Sequence, residues 1–442
     1  MTAARGVVTL ALVDIEGALY AATRAVVGDA QLGTGALVDA IRDRSARYTS
    51  DRTKLAKPAS PKADLAARAA FFTIADAPKI AIPIAELASR GALPARPLRV
   101  VDLGAGCGAM SLGLIAALDA QVPTASLAIT AIDRDRDALG IAANAIRAIT
   151  SAPSTSRPST SAPSTSAPST SAPSTSAPST SAPSTSAPST SAPSASAPST
   201  SAPSCVTFTI RVDDAMSVAI PACDLVVMGT LLNELPSDAA RIALVERALA
   251  AIADDGAVIV IEPALRETTR SLHVVRDSLI ARGKAHVFAP CTRQGTPCPA
   301  LADPTDWCHE HRALGAAPKL PPKTAELARL THLRDDGLKF SYLVLRKQSL
   351  SLAEDAGAWR IVGTPWQQKG KLEVLACGNA GRVTLRLLKR HRAAGNRAIE
   401  RVAKGHVVRV VTTEQHERAG GEHDRVEITD ETRVEIVSPG ES

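Results

Sequence analysis

Arg99-Val-Val-Asp-Leu-Gly-Ala-Gly-Cys-Gly108 is the stretch that decides the fold. A short apolar run that contains Asp102 and leads into alternate glycines is typical of a strand, a tight turn and the start of a helix. Gly104, Gly106 and Gly108 allow the backbone to turn sharply and to approach a ligand closely, and the helix that follows would point its free N–H groups into the same space. The stretch therefore predicts a loop that binds a nucleotide-like cofactor.

A second acidic residue lies where such a cofactor would place its ribose. The strand predicted over 127–132 is followed by Asp133, whose carboxylate could accept both ribose hydroxyls. Asp213 and Asp214 follow the next strand and are assigned to the same cofactor site, together with Asp102. The glycine spacing also satisfies the dinucleotide fingerprint G-x-G-x-x-A, so a nicotinamide-dependent oxidoreductase is an alternative.

The composition limits the class of protein. The chain has 442 residues, 45% of them hydrophobic, which is enough for two or three domains with well-packed cores. No apolar run approaches the length of a membrane span, and the seven cysteines lack the spacing of a secreted disulfide scaffold. These features predict a cytoplasmic protein that binds no membrane, and we expect a monomer.

The order of patterns along the chain predicts an α/β fold. Residues 1–97 show helical spacing, and the basic residues at 44–57 are predicted to lie on a solvated helix face. Over 98–350 strands and helices alternate, which is typical of a Rossmann-like, doubly wound parallel sheet. Short alternating strands with glycine turns over 356–437 predict a small, basic β-barrel-like module that binds RNA.

A pentapeptide repeat, Ala-Pro-Ser-Thr-Ser with small variants, occupies residues 151–204. It contains no aromatic or large apolar side chain, and a proline in every fifth position excludes both helix and sheet. Strands that the sheet still requires follow the repeat. We therefore predict a disordered insertion in one loop of the α/β domain, because closing a longer loop costs little extra free energy.

A proline- and glycine-rich segment at 288–312 contains three cysteines, Cys291, Cys298 and Cys308. Their spacing is not that of a zinc knuckle, so three buried free thiols are the alternative to a metal site. The candidates for a fourth ligand are His309, His311 and Cys377. Four thiolates would hold either a tetrahedral zinc ion or an iron–sulfur cluster, and the spacing does not separate the two.

The stretch from Arg382 to Arg409 contains nine Lys or Arg residues and one acidic residue. A basic stretch is often only a solvated face. The density of arginine beside a β-rich module nevertheless suits phosphate contacts with folded RNA. The residues assigned to RNA binding are Arg386, Lys389, Arg390, Arg392 and Arg397.

With these residues assembled, the chain resembles the methyltransferase-like family that assembles the small ribosomal subunit in mitochondria and bacteria. The segments that carry the resemblance are 101–108, 232–236, 262–263, 289–309, 339–342, 369–378 and 389–392. The resemblance implies the fold of class I S-adenosylmethionine-dependent methyltransferases, with S-adenosylmethionine as the cofactor. It also implies a four-iron four-sulfur cluster on Cys291, Cys298, Cys308 and Cys377, and association with the small ribosomal subunit and its rRNA.

The catalytic residues are the least defined part of the sequence. Asn233-Glu-Leu-Pro236 follows the strand at 224–228, where a methyl acceptor would lie in a doubly wound sheet. Asn233 and Glu234 are therefore weak catalytic candidates, although Glu234 could equally cap a helix. Two hypotheses follow from the resemblance: an rRNA methyltransferase, or a non-catalytic assembly factor that uses the same fold to bind RNA.

Overall fold

A mixed sheet of eight strands carries the glycine loop at its centre. The computed structural model of the chain describes residues 3–49, 58, 60–121, 126–151, 206–313, 319–334, 337–353, 357–411 and 424–438. The strands of this first sheet are β1 (Leu98–Leu103), β2 (Leu127–Asp133), β3 (Val206–Val212), β4 (Cys223–Gly229), β5 (Ile252–Pro263), β6 (His286–Ala289), β7 (Glu310–Ala313) and β8 (Gly337–Arg346).

The strand order is that of a doubly wound sheet. It runs β3-β2-β1-β4-β5-β8-β6, with β7 also paired to β8. β1 to β5 are parallel and β8 is antiparallel to its neighbours. The order reverses between β1 and β4, and ligands of such sheets bind beyond the carboxyl ends of the strands at this reversal. The predicted glycine loop follows β1 at that position.

Ten helices within the described residues surround the sheet. They are α1 (Ala3–Val27), α2 (Thr34–Thr49), α3 (Pro61–Ala67), α4 (Thr73–Asp76), α5 (Ala81–Ser89), α6 (Ala109–Gln121), α7 (Arg136–Ser151), α8 (Asp238–Ala251), α9 (Arg266–Ala281) and α10 (Pro322–Thr331). A π-helical turn, Arg68–Phe72, joins α3 to α4.

Helix starts follow the capping residues of the sequence. Ser237 accepts a hydrogen bond from Ala240 N at 3.2 Å at the start of α8, and Asp135 accepts one from Ala138 N at 3.0 Å at the start of α7. These side-chain oxygens satisfy backbone N–H groups that the helix leaves unpaired.

The N-terminal helices pack onto the first sheet and its helices. Leu19 of α1 and Phe71 of the π-helical turn share one buried cluster with Ile141 of α7 and Leu327 of α10. Helices α8 and α9 bury Val245 and other apolar side chains in a second cluster with strands β4 and β5. The region 1–97 is thus part of the layered core in its described residues.

The prediction that the basic residues at 44–57 lie on a solvated helix face is wrong for Arg47, which is 4% exposed. Arg44 and Arg47 both donate to the carboxylate of Asp64 on α3, at 2.9 and 2.5 Å. A buried carboxylate between two guanidinium groups binds α2 to α3. Sequence periodicity alone did not reveal this acidic partner.

A second, curled sheet follows the first in the chain. Its strands are β9 (Ala358–Ile361), β10 (Trp366–Gln368), β11 (Lys371–Gly378), β12 (Gly381–Leu388), β13 (Val407–Val411), β14 (Asp424–Ile428) and β15 (Arg433–Ser438). The order is β14-β12-β11-β9-β13-β15, with β10 paired to β11. Val374, Leu385 and Val408 point into one buried cluster, which fits the predicted barrel-like module.

The repeat lies in the chain between α7 and β3, and residues 152–205, with Cys205, fall outside the described residues. On either side of it the sheet is continuous, because β3 pairs with β2 from Leu127↔Val206 to Asp133↔Val212. No helix within the described residues is long and apolar enough to cross a membrane.

Candidate functional site

The glycine loop requires glycine at each of the three positions singled out. Gly104, Gly106 and Gly108 have φ values of 73°, 52° and 86°, in the left-handed region that other residues rarely adopt. A Cβ on Gly104 would lie 2.7 Å from Leu231 Cδ1, and one on Gly106 would lie 3.2 Å from Arg68 Nη2. The loop therefore leaves its backbone open to close approach, and Leu231 and Arg68 are the side chains that approach it.

Asp133 organises this loop. Its carboxylate accepts hydrogen bonds from Gly106 N and Asp135 N, each at 2.8 Å. An ionised carboxylate has about four lone-pair sites, so two remain for the hydroxyls of a ligand. Asp133 thus couples the end of β2 to the middle of the glycine loop and keeps acceptor capacity there.

Asp102 lies beneath the loop rather than at its surface. The residue is buried, and Oδ2 accepts from Ser111 N at 3.0 Å and from Ser111 Oγ at 2.6 Å. Among the described residues Oδ1 has no hydrogen-bond partner. Burial raises the pKa of Asp102 to about 6, against the lowering effect of the Ser111 hydrogen bonds. Asp102 therefore holds the first turns of α6.

The two aspartates after β3 have different positions. Asp213 N donates to Asp133 O at 3.0 Å, which places Asp213 beside the carboxyl end of β2. Its carboxylate pairs with Arg211 at 2.9 Å. Asp214 Oδ1 accepts from Met216 N at 2.9 Å and so stabilises its own turn.

Asn233 is buried in a clamp with Glu262 at the end of β5. Its Nδ2 donates to Glu262 Oε2 at 2.8 Å, and Leu232 N donates to Oε1 at 2.8 Å. Burial raises the pKa of Glu262 to about 7, although these hydrogen bonds oppose the shift. The arrangement fixes the 3-10 turn after β4.

Glu234, the other catalytic candidate, is held by residues that the sequence analysis missed. Tyr48 donates its hydroxyl to Glu234 Oε1 at 2.9 Å, and Arg44 donates to the Tyr48 oxygen at 2.9 Å. Arg134, after β2, lies 3.9 Å from Glu234 Oε2. In the sequence, Tyr48 stands out only by its helical spacing from Arg44. That spacing does not indicate that the hydroxyl contacts Glu234, which lies 186 residues away in the chain.

Arg68 is a further residue that the sequence did not single out. Its Nη1 donates to Asp135 Oδ2 at 2.6 Å, while Nη2 faces Gly106. The π-helical turn that carries Arg68 is a backbone irregularity often found near functional sites. The N-terminal helices therefore contribute a cation to the glycine loop.

The four predicted metal ligands line one cavity. Cys291, Cys298 and Cys308 lie on the chain between β6 and β7, along the outer edge of β8, whereas Cys377 lies on β11 of the second sheet. All four border a cavity of about 50 Å³. The cavity therefore lies between the first sheet and the C-terminal module.

Hydrogen bonds hold the two walls of this cavity together. Thr292 Oγ1 donates to Cys377 O at 3.3 Å, and Arg293 Nη1 donates to Gly378 O at 3.4 Å. Arg382 of β12 pairs with Asp306 from the opposite wall. These contacts bring the segment after β6 to the β11–β12 hairpin.

The electrostatics of the cavity favour an anionic occupant. Burial raises the pKa of the Cys298 thiol to about 11 and that of Cys377 to about 12, and the repulsion of Cys291 adds to both shifts. Three guanidinium groups border the same cavity, those of Arg276, Arg293 and Arg382. The Cys298 and Cys377 thiols are thus protonated at neutral pH unless a cationic centre binds them as thiolates.

Unpaired donors converge on the same cavity. Among the described residues, the buried Nε of Arg276, Nε of Arg382 and Nδ1 of His309 have no hydrogen-bond partner. Lys404 Nζ lies 3.2 Å from His309 Nε2, and because lysine only donates, the remaining His309 proton lies on Nδ1. Because a buried donor without a partner costs free energy, these three N–H groups favour the binding of a group with several hydrogen-bond acceptors.

A zinc ion and an iron–sulfur cluster place different demands on the four thiols. No group of three or more His, Cys, Asp or Glu within the described ranges is arranged to hold a single metal ion. Tetrahedral zinc, with Zn–S distances of about 2.3 Å, requires sulfurs only about 3.8 Å apart. An iron–sulfur cluster is held by four cysteine thiolates, and four cysteines border this cavity. His309 also borders the cavity.

A buried charged network adjoins the cavity and was not predicted. Arg360 of β9 donates to Glu86 Oε1, Glu310 Oε2 and the Tyr342 hydroxyl at 2.7, 2.7 and 2.8 Å. Tyr342 also donates to Glu86 Oε2 at 2.7 Å. One guanidinium thereby joins α5, β7 and β8 to the C-terminal module.

The five residues assigned to RNA binding are not equivalent. Lys389, Arg390, Arg392 and Arg397 are exposed. Arg392 pairs with Glu400 at 2.9 Å, and Arg386, which is half-buried, pairs with Glu427 at 2.5 Å. The exposed cations cluster around the 3-10 turn Lys389–His391 and the following 3-10 helix Ala394–Arg401.

Residues 201–408 match the family model described as mitochondrial small ribosomal subunit Rsm22. Over this segment the chain is similar to the Rsm22 family. The match includes β4, β5, the four cavity cysteines and most of the basic stretch. It confirms the resemblance to a small-subunit ribosomal family. Among curated proteins, none matches this chain.

Three solved structures that are similar to this chain carry methyltransferase or methylase descriptions. A putative class I S-adenosylmethionine-dependent methyltransferase from Listeria monocytogenes is 9% identical, with 78% of this chain and 92% of that chain covered and a TM-score of 0.35. The plantazolicin methyltransferase BpumL in complex with SAH is 10% identical, with 74% and 99% covered and a TM-score of 0.30. Ribosomal protein L11 methylase from Lactobacillus delbrueckii subsp. bulgaricus is 13% identical, with 49% and 74% covered and a TM-score of 0.27.

The fold class is the predicted one. It rests on the strand order of the first sheet, with its reversal between β1 and β4 and its antiparallel β8. The protein has a doubly wound α/β sheet with helices at its N-terminal side and a curled second sheet.

Proposed function

We propose that this chain binds S-adenosylmethionine at the glycine loop and acts on the small ribosomal subunit. The observation that carries the proposal is the loop itself: three glycines with positive φ, braced by a carboxylate that keeps acceptor capacity. A sulfonium nucleoside with an unphosphorylated ribose suits Asp133, and the match of residues 201–408 to the Rsm22 family model supports the ribosomal context.

Isothermal titration of the full chain tests the cofactor. We expect S-adenosylmethionine and S-adenosylhomocysteine to bind and NAD to give no heat beyond dilution. Binding of NAD with no binding of S-adenosylmethionine would return the loop to the oxidoreductase alternative.

We infer in addition that the cavity holds a four-iron four-sulfur cluster on Cys291, Cys298, Cys308 and Cys377. The four cysteines that border one cavity, together with the three unpaired donors and the arginines around it, support an anionic, acceptor-rich group. When bound, the cluster would link two sheets structurally.

Metal analysis of anaerobically purified protein tests the cluster. We expect about four irons per chain and a brown colour, both lost in Cys377→Ser. Cys223→Ser is the matched control, because Cys223 is buried in β4 and does not border the cavity. One zinc per chain would support the alternative ion, and loss of metal in His309→Ala but not in Cys377→Ser would make His309 the fourth ligand.

Methyl transfer to rRNA is the catalytic form of this proposal, and a non-catalytic role in assembly is the second candidate. The second is favoured by the burial of Asn233 against Glu262 and by the contact of Glu234 with Tyr48, since neither side chain is presented as a free base. Mass spectrometry and primer extension on small-subunit rRNA from deletion cells separate the two. A missing methyl group supports the enzyme, whereas intact modification with a deficit of subunits supports assembly.

Both candidate functions require contact with RNA. We assign this contact to Lys389, Arg390, Arg392 and Arg397, with a smaller contribution from Arg386, which is paired with Glu427. The monomeric state and the cytoplasmic compartment remain predictions from the sequence, and the family description names the mitochondrion. Fractionation of cells that express the tagged chain distinguishes the two compartments, and co-sedimentation with small subunits tests the partner.

A further inference from the structure

One of the three tryptophans is exposed on the C-terminal module. The chain is only 2% aromatic, so each large ring is a substantial part of its apolar surface. Trp359 is 9% exposed and belongs to the core of the second sheet, whereas Trp366 is 59% exposed. Tryptophan is mostly buried in proteins and is enriched where it meets a ligand or partner.

Trp366 lies on the outer face of the second sheet. It pairs with Glu373 of β11, which in turn pairs with Arg386 of β12, and residues paired across strands point to the same face. The alternate residues of β12, Val383, Leu385 and Leu387, are buried and form the inner face. The ring thus stands on the solvent side, in one row with a predicted RNA-binding arginine.

Lys371 positions the ring. Its Nζ lies 5.8 Å from the centre of the Trp366 ring and 2.8 Å from Glu373 Oε2. The carboxylate anchors the ammonium group, and the ammonium group attracts the ring. Trp366 is therefore ordered at the surface before any partner binds.

Basic side chains surround this position. Lys389 N donates to Gly370 O at 2.8 Å, which places the 3-10 turn Lys389–His391 against the β10–β11 turn. Lys369, Lys389 and Arg390 are exposed there. Trp366 lies two residues before the end of β10, which corresponds to about 7 Å along the strand. The ring and the cations thus share one end of the second sheet.

We propose that Trp366 is a stacking platform for an unpaired base of single-stranded RNA, with Lys369, Lys389 and Arg390 binding the adjacent phosphates. The inference rests on the proposed association with RNA and specifies its chemistry. An exposed aromatic ring beside cations on a sheet surface matches what unpaired bases and their phosphates require. A duplex keeps its bases stacked internally and would gain only the charge contacts.

Binding titrations with the full chain test the platform. The probes are a fluorescently labelled unstructured oligouridine and an RNA duplex of equal length, at several salt concentrations. We expect Trp366→Ala to weaken binding of the oligouridine at least fivefold, within the range known for loss of one stacked base, and to leave duplex binding unchanged. Trp366→Phe should recover most of the affinity. Ile210→Ala is the matched control, because Ile210 is also an exposed apolar residue but lies on β3 of the first sheet.

The salt dependence separates the ring from the charges. Lys389→Ala should weaken both probes and lower the slope of log affinity against log salt by about 1, whereas Trp366→Ala should leave the slope unchanged. Unchanged oligouridine binding in Trp366→Ala, or an equal loss for oligouridine and duplex, would overturn the platform while RNA binding itself stands. Failure of the unaltered protein to bind either probe would instead overturn the proposed RNA association.

Discussion

Asp133 acts on the glycine loop before it acts on a ligand. Its two hydrogen bonds to Gly106 N and Asp135 N are both 2.8 Å long and connect the loop to the start of α7. A side chain predicted from the sequence as a ribose acceptor is therefore also a structural brace. Both roles are lost together when the carboxylate is removed.

We expect Asp133→Ala to weaken S-adenosylmethionine binding by about 2 kcal/mol, or about thirtyfold, because a charged acceptor and the brace of the loop are lost. Isothermal titration measures the change. Asp137→Ala, an exposed acidic residue in the first turn of α7, is the control and should bind as the unaltered protein does. Equal affinity in Asp133→Ala would leave Asp133 with the structural role alone.

Asp102 predicts a pH dependence of stability. Its pKa is about 6 in the folded protein, against 3.8 when unperturbed, so the folded state binds the extra proton between these values. The contribution of Asp102 to the free energy of unfolding is complete below the unperturbed pKa and is lost as the pH rises through about 6. The free energy of unfolding changes by about 3 kcal/mol over this range.

Asp102→Asn removes this dependence, because an amide oxygen can still accept from Ser111 while no charge is buried. We expect the free energy of unfolding of the variant, relative to the unaltered protein, to rise between pH 4 and pH 7. Urea unfolding at a series of pH values measures it. If the free energy of unfolding had the same pH dependence in both proteins, the Asp102 carboxyl would titrate with the same pKa in the folded and unfolded states.

The sequence identified candidate site residues that form a recognisable local pattern. It did not identify residues whose contacts lie far away in the chain. Alternate glycines after an apolar run identified the loop, and the cysteines were conspicuous in an aperiodic segment. Tyr48 and Arg68 gave no such signal, because their partners Glu234 and Asp135 lie 186 and 67 residues away. A single sequence contains no information about such pairs.

At the scale of elements, long periodic segments were predictable and short ones were not. The strand and the helix predicted on either side of the glycine turn are β1 (Leu98–Leu103) and α6 (Ala109–Gln121). Strands β6 and β7 have four residues each and carry too few alternations to indicate a strand. The sheet edge that presents the cysteines was therefore not foreseen.

Arg360 connects elements that are otherwise far apart in the chain. We expect Arg360→Ala to destabilise the protein by about 3–5 kcal/mol, because Glu86 would remain buried without its cation and Glu310 would keep only Arg312, whose Nε lies 3.7 Å away. Chemical denaturation gives the value. Arg409→Ala is the control, since Arg409 forms a partly exposed pair with Glu435 and should cost less than about 1 kcal/mol. Similar losses for both variants would mean that the buried network is dispensable.

At the scale of the molecule, the repeat is expected to be neutral for folding. Deletion of 152–201 should leave cofactor affinity unchanged and the melting temperature equal or slightly higher, because each halving of a loop recovers only about 0.6 kcal/mol. β2 and β3 remain paired neighbours on either side of the deletion. Calorimetry and cofactor titration of the shortened chain check this. A marked fall in either quantity would show that the repeat packs against the domain.

The contact of Arg360 with Glu86 also determines when the protein can finish folding during its synthesis. The two residues are 274 positions apart, so α5 leaves the ribosome long before its cation exists. At typical elongation rates the interval is on the order of tens of seconds. During that time a nascent chain carries a carboxylate that is buried in the folded protein but has no cation beside it. Slow translation between the codons for Glu86 and Arg360 would therefore prolong the period in which the nascent chain depends on chaperones.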